Sequence, residues 1–228
     1  MEWITSEDVA AAERAAAEFI ATRLTQAARE RGRATLAISG GRTPWGMFER
    51  LAALDVNWTA VEILQVDERI VALDHEARNW KRFLANPLAR RIPDANQHAM
   101  PVEIGDPELA AGQYASTLIE RAGSPPELDI VHLGIGEDGH TASLFAADPL
   151  LEEKQRWVGV SHRYQKHRRL SLTLPALNRA QCVVWFAVGV ARREAMTRLF
   201  ARDAAIPASH VERDRAICFT DADAAPEM

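Results

Sequence analysis

The sequence predicts an α/β fold of Rossmann-like type, a mostly parallel sheet with helices on both faces. Three observations predict it. Short apolar runs of strand length alternate with helix-favouring stretches along the whole 228 residues. Two of those runs, 34–38 and 128–133, stop at glycine-rich loops that lead into further helix-like sequence. A third, 61–66, ends in the charged triplet Asp67-Glu68-Arg69. The carboxyl ends of parallel strands are where open α/β sheets bind ligands. The length suits one domain spanning 1–228 with a full core.

Residues 6–31 read as an alanine-rich amphipathic helix, started by Ser6, or by Thr5 with Asp8, and stopped by Gly32. The run 34–38 is a strand, and Pro44 suits the first position of the helix 45–54. Residues 61–66 form a strand, 77–90 a helix and 90–105 a proline-containing connection. Asp106-Pro107 starts a helix that runs to about Ala122 and delivers the chain to the β-branched strand 128–133. Residues 141–145 read as the first turn of a short helix. Beyond a polar stretch to Lys154, 157–160 is a strand and 170–174 alternates as a half-buried strand does. A helical turn at 175–179, a buried strand at 182–188 and a helix at 192–201 follow. A closing loop at 207–209, a last strand at 216–220 and a frayed tail at 221–228 end the chain.

The formal net charge of −5 argues against a nucleic-acid partner. An anionic substrate must then be drawn by a local basic cluster. The two cysteines, Cys182 and Cys218, both lie in apolar runs, which fits a reducing, cytoplasmic setting and no thiolate metal site. No apolar run approaches the roughly 20 residues of a membrane span. Residues 1–8 lack the basic and apolar regions of a signal peptide.

The chemistry concentrates at 134–145. Gly134, Gly136 and Gly139 give a tight loop whose backbone can approach a ligand closely. His140 falls where that loop is expected to become helix. Free N–H groups there favour an anion, and the positive end of a helix dipole disfavours imidazolium. A neutral imidazole can take a proton from water. Gly134-x-Gly136-x-x-Gly139 also matches the dinucleotide fingerprint. That fingerprint belongs in the first βαβ unit with an acidic residue about 20 positions on, at a strand end. Here it lies past the middle of the chain, and Glu152 and Glu153 come too early, among polar residues.

Ser39-Gly40-Gly41-Arg42-Thr43-Pro44 forms the second glycine junction. Adjacent glycines let successive N–H groups point into one concavity, a nest suited to phosphate. No Gly-Lys-Ser/Thr follows, so it is not a Walker A loop. The densest basic cluster is His162, Arg163, Lys166, His167, Arg168 and Arg169. No Gly-x-Ser-x-Gly elbow and no metal-ligand spacing is present.

The stretch Gly134-x-Gly136-x-Asp138-Gly139-His140-Thr141-Ala142-Ser143-Leu144-Phe145 closely resembles the signature of the 6-phosphogluconolactonases. These share a superfamily with the glucosamine-6-phosphate deaminases, which usually follow the glycine-histidine pair with an Ile-Ala-Phe-Asn-Glu type of sequence instead. Ser39-Gly40-Gly41 with Thr43-Pro44, the triplet Asp67-Glu68-Arg69 and the later Asn79-Trp80 agree with the lactonase pattern, as does Lys166 three residues before Arg169. Ala146 departs from it, where proline is common, and His167-Arg168 stand where prolines are frequent.

The resemblance implies hydrolysis of a phosphorylated sugar lactone. No metal or cofactor is expected, and the protein is expected to be a monomer or small homo-oligomer. It makes His140 the base. Ser39, Gly40, Gly41 and Thr43 become a substrate-phosphate or hydroxyl loop. Arg69 becomes a substrate contact, with Asp67 as its orienting or hydroxyl-binding partner. Lys166 and Arg169 become the phosphate clamp. Loop N–H groups around Gly139 and Gly41, or an arginine, are the expected oxyanion donors. The rivals are an amino-sugar-phosphate deaminase on the same fold and a non-catalytic sugar-phosphate sensor.

Overall fold

The computed structural model describes residues 1–226. Strand β1 (Glu2–Ser6) leads into helix α1 (Val9–Arg31). Asp8 caps that helix, its side chain accepting from the Ala11 N–H at 2.7 Å, and left-handed Gly32 ends it. Ala12, Ala16, Ala17, Ile20, Ala21 and Leu24 form its buried stripe, and their small side chains let it lie close on the sheet. Then come β2 (Ala34–Ile38), α2 (Trp45–Ala52), β3 (Val61–Gln65), β4 (Asp67–Arg69), α3 (Asn79–Ala85), β5 (Gln97–His98), α4 (Pro107–Ala122) and β6 (Ile130–Leu133). The chain ends with β7 (Val158–Val160), β8 (Arg169–Leu172), α5 (Leu174–Leu177), β9 (Val183–Ala187), α6 (Arg193–Phe200) and β10 (Ala216–Asp221).

The main sheet is wholly parallel, in the order β1-β10-β9-β6-β2-β3-β5. Its inner strands β2, β6 and β9 are buried on both faces, which is why they read as continuous apolar runs. Leu36 and Ile38 face a core built with α1 and α2, while Ala37 faces the other core, built with α4 and α6. Four neighbouring central strands, β9, β6, β2 and β3, deliver loops to one edge of the sheet. That edge is the ligand-binding edge of such folds.

A small antiparallel sheet, β4-β8-β7, departs from the parallel pattern. Other readings also change. Residues 2–6, which carry no strand signal of their own, form β1 and pair with β10 from Glu2↔Ile217 to Ser6↔Asp221, so the N-terminal helix starts at Val9 and not at residue 6. The expected helix 77–90 divides into α3 and a 3-10 turn, Pro87–Arg91, broken where Asn86 turns extended. The connection 90–105 holds a further 3-10 turn and the edge strand β5. Of the expected tail, Asp221 belongs to β10 and accepts from Gly189 N and Ala224 N, while Ala224 is buried. Residues 227–228 lie outside the described residues.

Residues 141–145 are not helical. Leu144 N returns to Thr141 O at 2.9 Å, and Ala142 takes a left-handed φ of 51°. Leu144 and Phe145 are both buried, and the tight turn is what tucks them inward. The helix-dipole argument for a neutral His140 therefore fails here, and another group must orient its ring.

Candidate active site

One cleft gathers the residues that follow the central strands. It is lined by the 39–43 loop after β2, by Asp67 and Arg69 of β4, by His140 after β6, by Arg169 of β8 and by Arg192 after β9. Ser39, Gly40, Gly41, Thr43, Asp67, Arg69, His140 and Arg169 are thus brought together as expected. Two residues of the expected site are placed elsewhere. Lys166 is exposed on the turn of the hairpin that Tyr164 and His167 close, and it is not among the lining residues. Gly139 lies behind His140. Its φ of 81° and the Ile206 side chain, 2.5 Å from where a Cβ would sit, make glycine necessary there. Its N–H donates to Gly136 O at 3.0 Å, so the reading of Gly139 as an oxyanion donor does not hold.

The nest loop is open to a ligand. The N–H groups of Gly40, Gly41, Arg42 and Thr43 meet no acceptor among the described residues. Gly41 has a φ of 107°, the conformation that turns successive N–H groups the same way. Its carbonyl points away, accepting from Trp45 Nε1 at 2.8 Å and from Arg82 Nη1 at 2.9 Å.

Beneath that loop, Ser39 N donates to Nδ1 of His132, which is 1% exposed and sits edge-on to Phe48. Burial lowers the His132 pKa to about 3. The folded protein then binds this proton less readily than the unfolded chain. Its stabilising contribution is complete above about pH 6.5 and is lost as the pH falls towards 3, with a slope of up to about 1.4 kcal/mol per unit. His132→Asn, which keeps an acceptor for Ser39 but does not titrate there, should flatten the pH dependence of urea midpoints in this window. Parallel curves for the two proteins would refute the assignment.

Opposite the nest, strand register does the positioning. Arg69 and Arg169 are directly paired on β4 and β8, so their side chains share the face that also carries Asp67. Neither Arg69 Nε nor Arg169 Nε, both buried, has a partner in the protein. Burial lowers the Arg169 pKa, which the Asp67 charge opposes and the Arg69 charge reinforces. An arginine nonetheless stays cationic. Two neighbouring guanidinium groups with unused donors make a seat for an anion. Asp67 itself accepts from Ser143 Oγ at 2.6 Å.

At the cleft wall His140 Nδ1 lies 2.6 Å from Asp138 Oδ1, which also accepts from His140 N at 3.2 Å. The loop thus folds back so that one carboxylate holds both the backbone and the ring. Partial burial raises the Asp138 pKa, but the hydrogen bond and charge of His140, with the Tyr164 hydroxyl, outweigh it and leave the group below its ordinary range. Nε2 is the nitrogen left for a substrate. A histidine whose far nitrogen is fixed by a carboxylate is the arrangement of a general base.

Sequence reasoning missed three contributors. Arg192, which pairs with Glu137 at 3.1 Å, stands in an ordinary helix start and reaches the cleft only because β9 lies beside β6. Asp138 stands in the motif, but its spacing two residues before His140 does not signal that it pairs with the ring. Glu68 carried no role, yet it is fully buried and takes N–H donors from Gln65, Arg69, Asn79 and Trp80.

Residues 7–219 match the family model described as glucosamine-6-phosphate isomerases/6-phosphogluconolactonase. The chain belongs to this family. It is 38% identical over 190 residues to the 6-phosphogluconolactonase of Synechocystis, covering 81% of this chain and 79% of that protein. It is 35% identical over 192 residues to the 6-phosphogluconolactonase of Nostoc, covering 82% and 80%. The 6-phosphogluconolactonase structure from Thermotoga maritima superposes with a TM-score of 0.84 at 26% identity, covering 96% of this chain and 98% of that one.

Proposed function

We propose that the chain hydrolyses 6-phospho-D-glucono-1,5-lactone to 6-phospho-D-gluconate, the second step of the oxidative pentose phosphate pathway. The observation that carries this reading is the Asp138–His140 dyad opening on a cleft lined by Arg42, Arg69, Arg169 and Arg192. A base beside concentrated positive charge suits water attack on a dianionic ester. The residues after His140 and the lactonase names of the 38% and 35% identical relatives favour the lactone over an amino sugar.

In the proposed reaction His140 Nε2 removes a proton from water as its oxygen bonds to the lactone carbonyl carbon. The charge that develops on the carbonyl oxygen is met by an unpaired donor, the Nε–H of Arg69. Collapse breaks the bond from that carbon to the ring oxygen, which takes the proton back from the imidazolium. The product carboxylic acid then loses its proton to solvent. The free N–H groups of 40–43 with Arg169 and Arg192 are proposed to hold the phosphate, and Ser39, Thr43, Asp67 and Arg69 the hydroxyls and carbonyl. Lys166 would have to bend inward from the hairpin turn to join them. Residues 1–228 are proposed as one functional unit, a monomer or small homo-oligomer located in the cytoplasm. Among the described residues no helix is long and apolar enough to cross a membrane.

The test uses two substrates. Arg169→Ala removes a charge that binds remote from the carbonyl, so catalytic efficiency on the phosphorylated lactone should fall about 10- to 150-fold, the scale of one charge-assisted hydrogen bond. Hydrolysis of plain glucono-1,5-lactone should change little. Equal losses on both would take Arg169 out of the phosphate seat. Ammonia release from glucosamine 6-phosphate, with no acceleration of lactone loss over the uncatalysed background, would overturn the function itself.

A further inference from the structure

The hairpin that carries the basic cluster is tied to the dyad by one side chain. Tyr164 closes the hairpin, donating its N–H to His167 O at 3.1 Å and accepting from His167 N at 3.3 Å, with Gln165 in the left-handed region at φ 54°. Its hydroxyl donates to Asp138 Oδ2 at 2.8 Å, the carboxylate oxygen that His140 Nδ1 does not use. Its ring stacks on Phe145, centroids 3.8 Å apart and planes at 10°. The Arg169 guanidinium lies 5.2 Å from the Phe145 centroid and 5.4 Å from that of Tyr164. The His140 ring touches the same two aromatics from its own side. The base and one proposed phosphate ligand therefore share a single aromatic support, and Tyr164 also hydrogen-bonds the carboxylate that orients the base.

We propose that Tyr164 is a positioning residue for catalysis, acting through Asp138 to set the orientation and basicity of His140 and through its ring to seat Arg169. The proposal rests on the reading of His140 as the base. Its physical content is that the carboxylate divides its charge between two donors. With the Tyr164 hydroxyl in place, Asp138 is held in one rotamer and attracts the imidazole proton less strongly. Without it, Asp138 is freer to turn, and an imidazolium beside a less neutralised carboxylate is favoured. Burial and the Asp138 contact raise the Tyr164 pKa, so the phenol remains a donor through the neutral range. The other charged groups that face the dyad across the cleft are Asp67 and Arg69 of β4, Arg42 of the nest loop, Arg169 of β8 and Arg192, with Glu137 on the dyad's own loop. Tyr164→Phe alters none of them.

Tyr164→Phe keeps the stack on Phe145 and the contact with Arg169 and deletes only the hydroxyl. We expect kcat to fall about 3- to 10-fold, the scale of one moderately exposed hydrogen bond to a charge, with KM within about twofold. The acid limb of the pH–rate profile should move to higher pH. In an Asp138→Asn background the same substitution should have no further effect on kcat or on the profile, because its route to His140 is gone. Tyr164→Ala, which also removes the aromatic support, should in addition raise KM for the phosphorylated lactone but not for glucono-1,5-lactone. A Tyr164→Phe profile superimposable on wild type would overturn the proposal. So would an undiminished effect in the Asp138→Asn background, or a loss of kcat that tracks a loss of melting temperature. His140→Ala tests the base independently. If that variant stays active the reaction reading fails, whereas an inactive His140→Ala beside an unchanged Tyr164→Phe sinks only the present proposal.

Discussion

His140→Ala is expected to lower kcat by about a hundredfold or more, the usual scale for a general acid–base group. The loss should be the same on 6-phosphogluconolactone and on glucono-1,5-lactone. Both present the same ring ester to the imidazole, and only one carries the phosphate that the arginines are proposed to hold. KM should change little on either. The fold should survive, because the side chain belongs to a loop at the cleft wall and is partly exposed, outside both hydrophobic cores. Steady-state kinetics on both lactones, corrected for uncatalysed hydrolysis, with a melting curve as control, check the expectation. A folded variant with near-normal turnover would move the base elsewhere, with Asp138 the first alternative. In that event Asp138→Asn should be inactive while His140→Ala is not.

Much of this arrangement was legible because it depends on local chemistry. A β-branched run closed by glycine has few alternatives to a buried strand, so β2 and β6 and the loops that follow them could be read directly. His140 stood out as the one titratable ring in a glycine loop. What was not legible depends on partners distant in sequence. Arg192 reaches the cleft through the pairing of β6 with β9, and nothing in Val190-Ala191-Arg192 signals it. The run 141–145 has residues suited to a first helical turn, yet burial of Leu144 and Phe145 selected a tight turn with Ala142 left-handed. Tertiary packing overrode propensity there. β1 was hidden because five residues, Glu2-Trp3-Ile4-Thr5-Ser6, become a strand only when β10 offers an edge. The triplet at 67–69 showed the same blindness in its middle residue. The strand-end position pointed to Asp67 and Arg69 but gave Glu68 no role; the pleat of the second sheet turns Asp67 and Arg69 to the cleft and Glu68 into the interior.

That interior glutamate leads to the largest stability effect expected. Burial raises the Glu68 pKa, and the hydrogen bonds from Gln65, Asn79, Trp80 and Arg69 oppose that shift. Each carboxylate oxygen takes two donors. Oε1 accepts from Arg69 N at 2.7 Å and Asn79 N at 2.9 Å, and Oε2 from Gln65 Nε2 at 2.9 Å and Trp80 N at 2.8 Å. Arg78 Nε, also buried, lies 3.6 Å from Oε2. Glu68→Gln keeps the shape but replaces one oxygen by an NH₂ group, which must face two donors instead of accepting from them. Two charge-assisted hydrogen bonds are lost and Arg78 loses a neighbouring charge, at a cost of about 3–5 kcal/mol. For a chain of this length that corresponds to a fall in Tm of roughly 6–20 °C. The damage should also reach the site. Asn79 and Trp80 open α3, Asn79 Nδ2 donates to Asp67 O at 3.2 Å, and Ala77 O accepts from Arg69 Nη1 at 2.8 Å. Once the start of α3 is released, Asp67 and Arg69 lose their common anchor, so the molecules that remain folded should bind both lactones more weakly. Thermal melts and KM measured well below the lowered Tm separate the two effects. A Tm within a degree or two of wild type would mean that neither the four donors nor Arg78 needs an anion at this position.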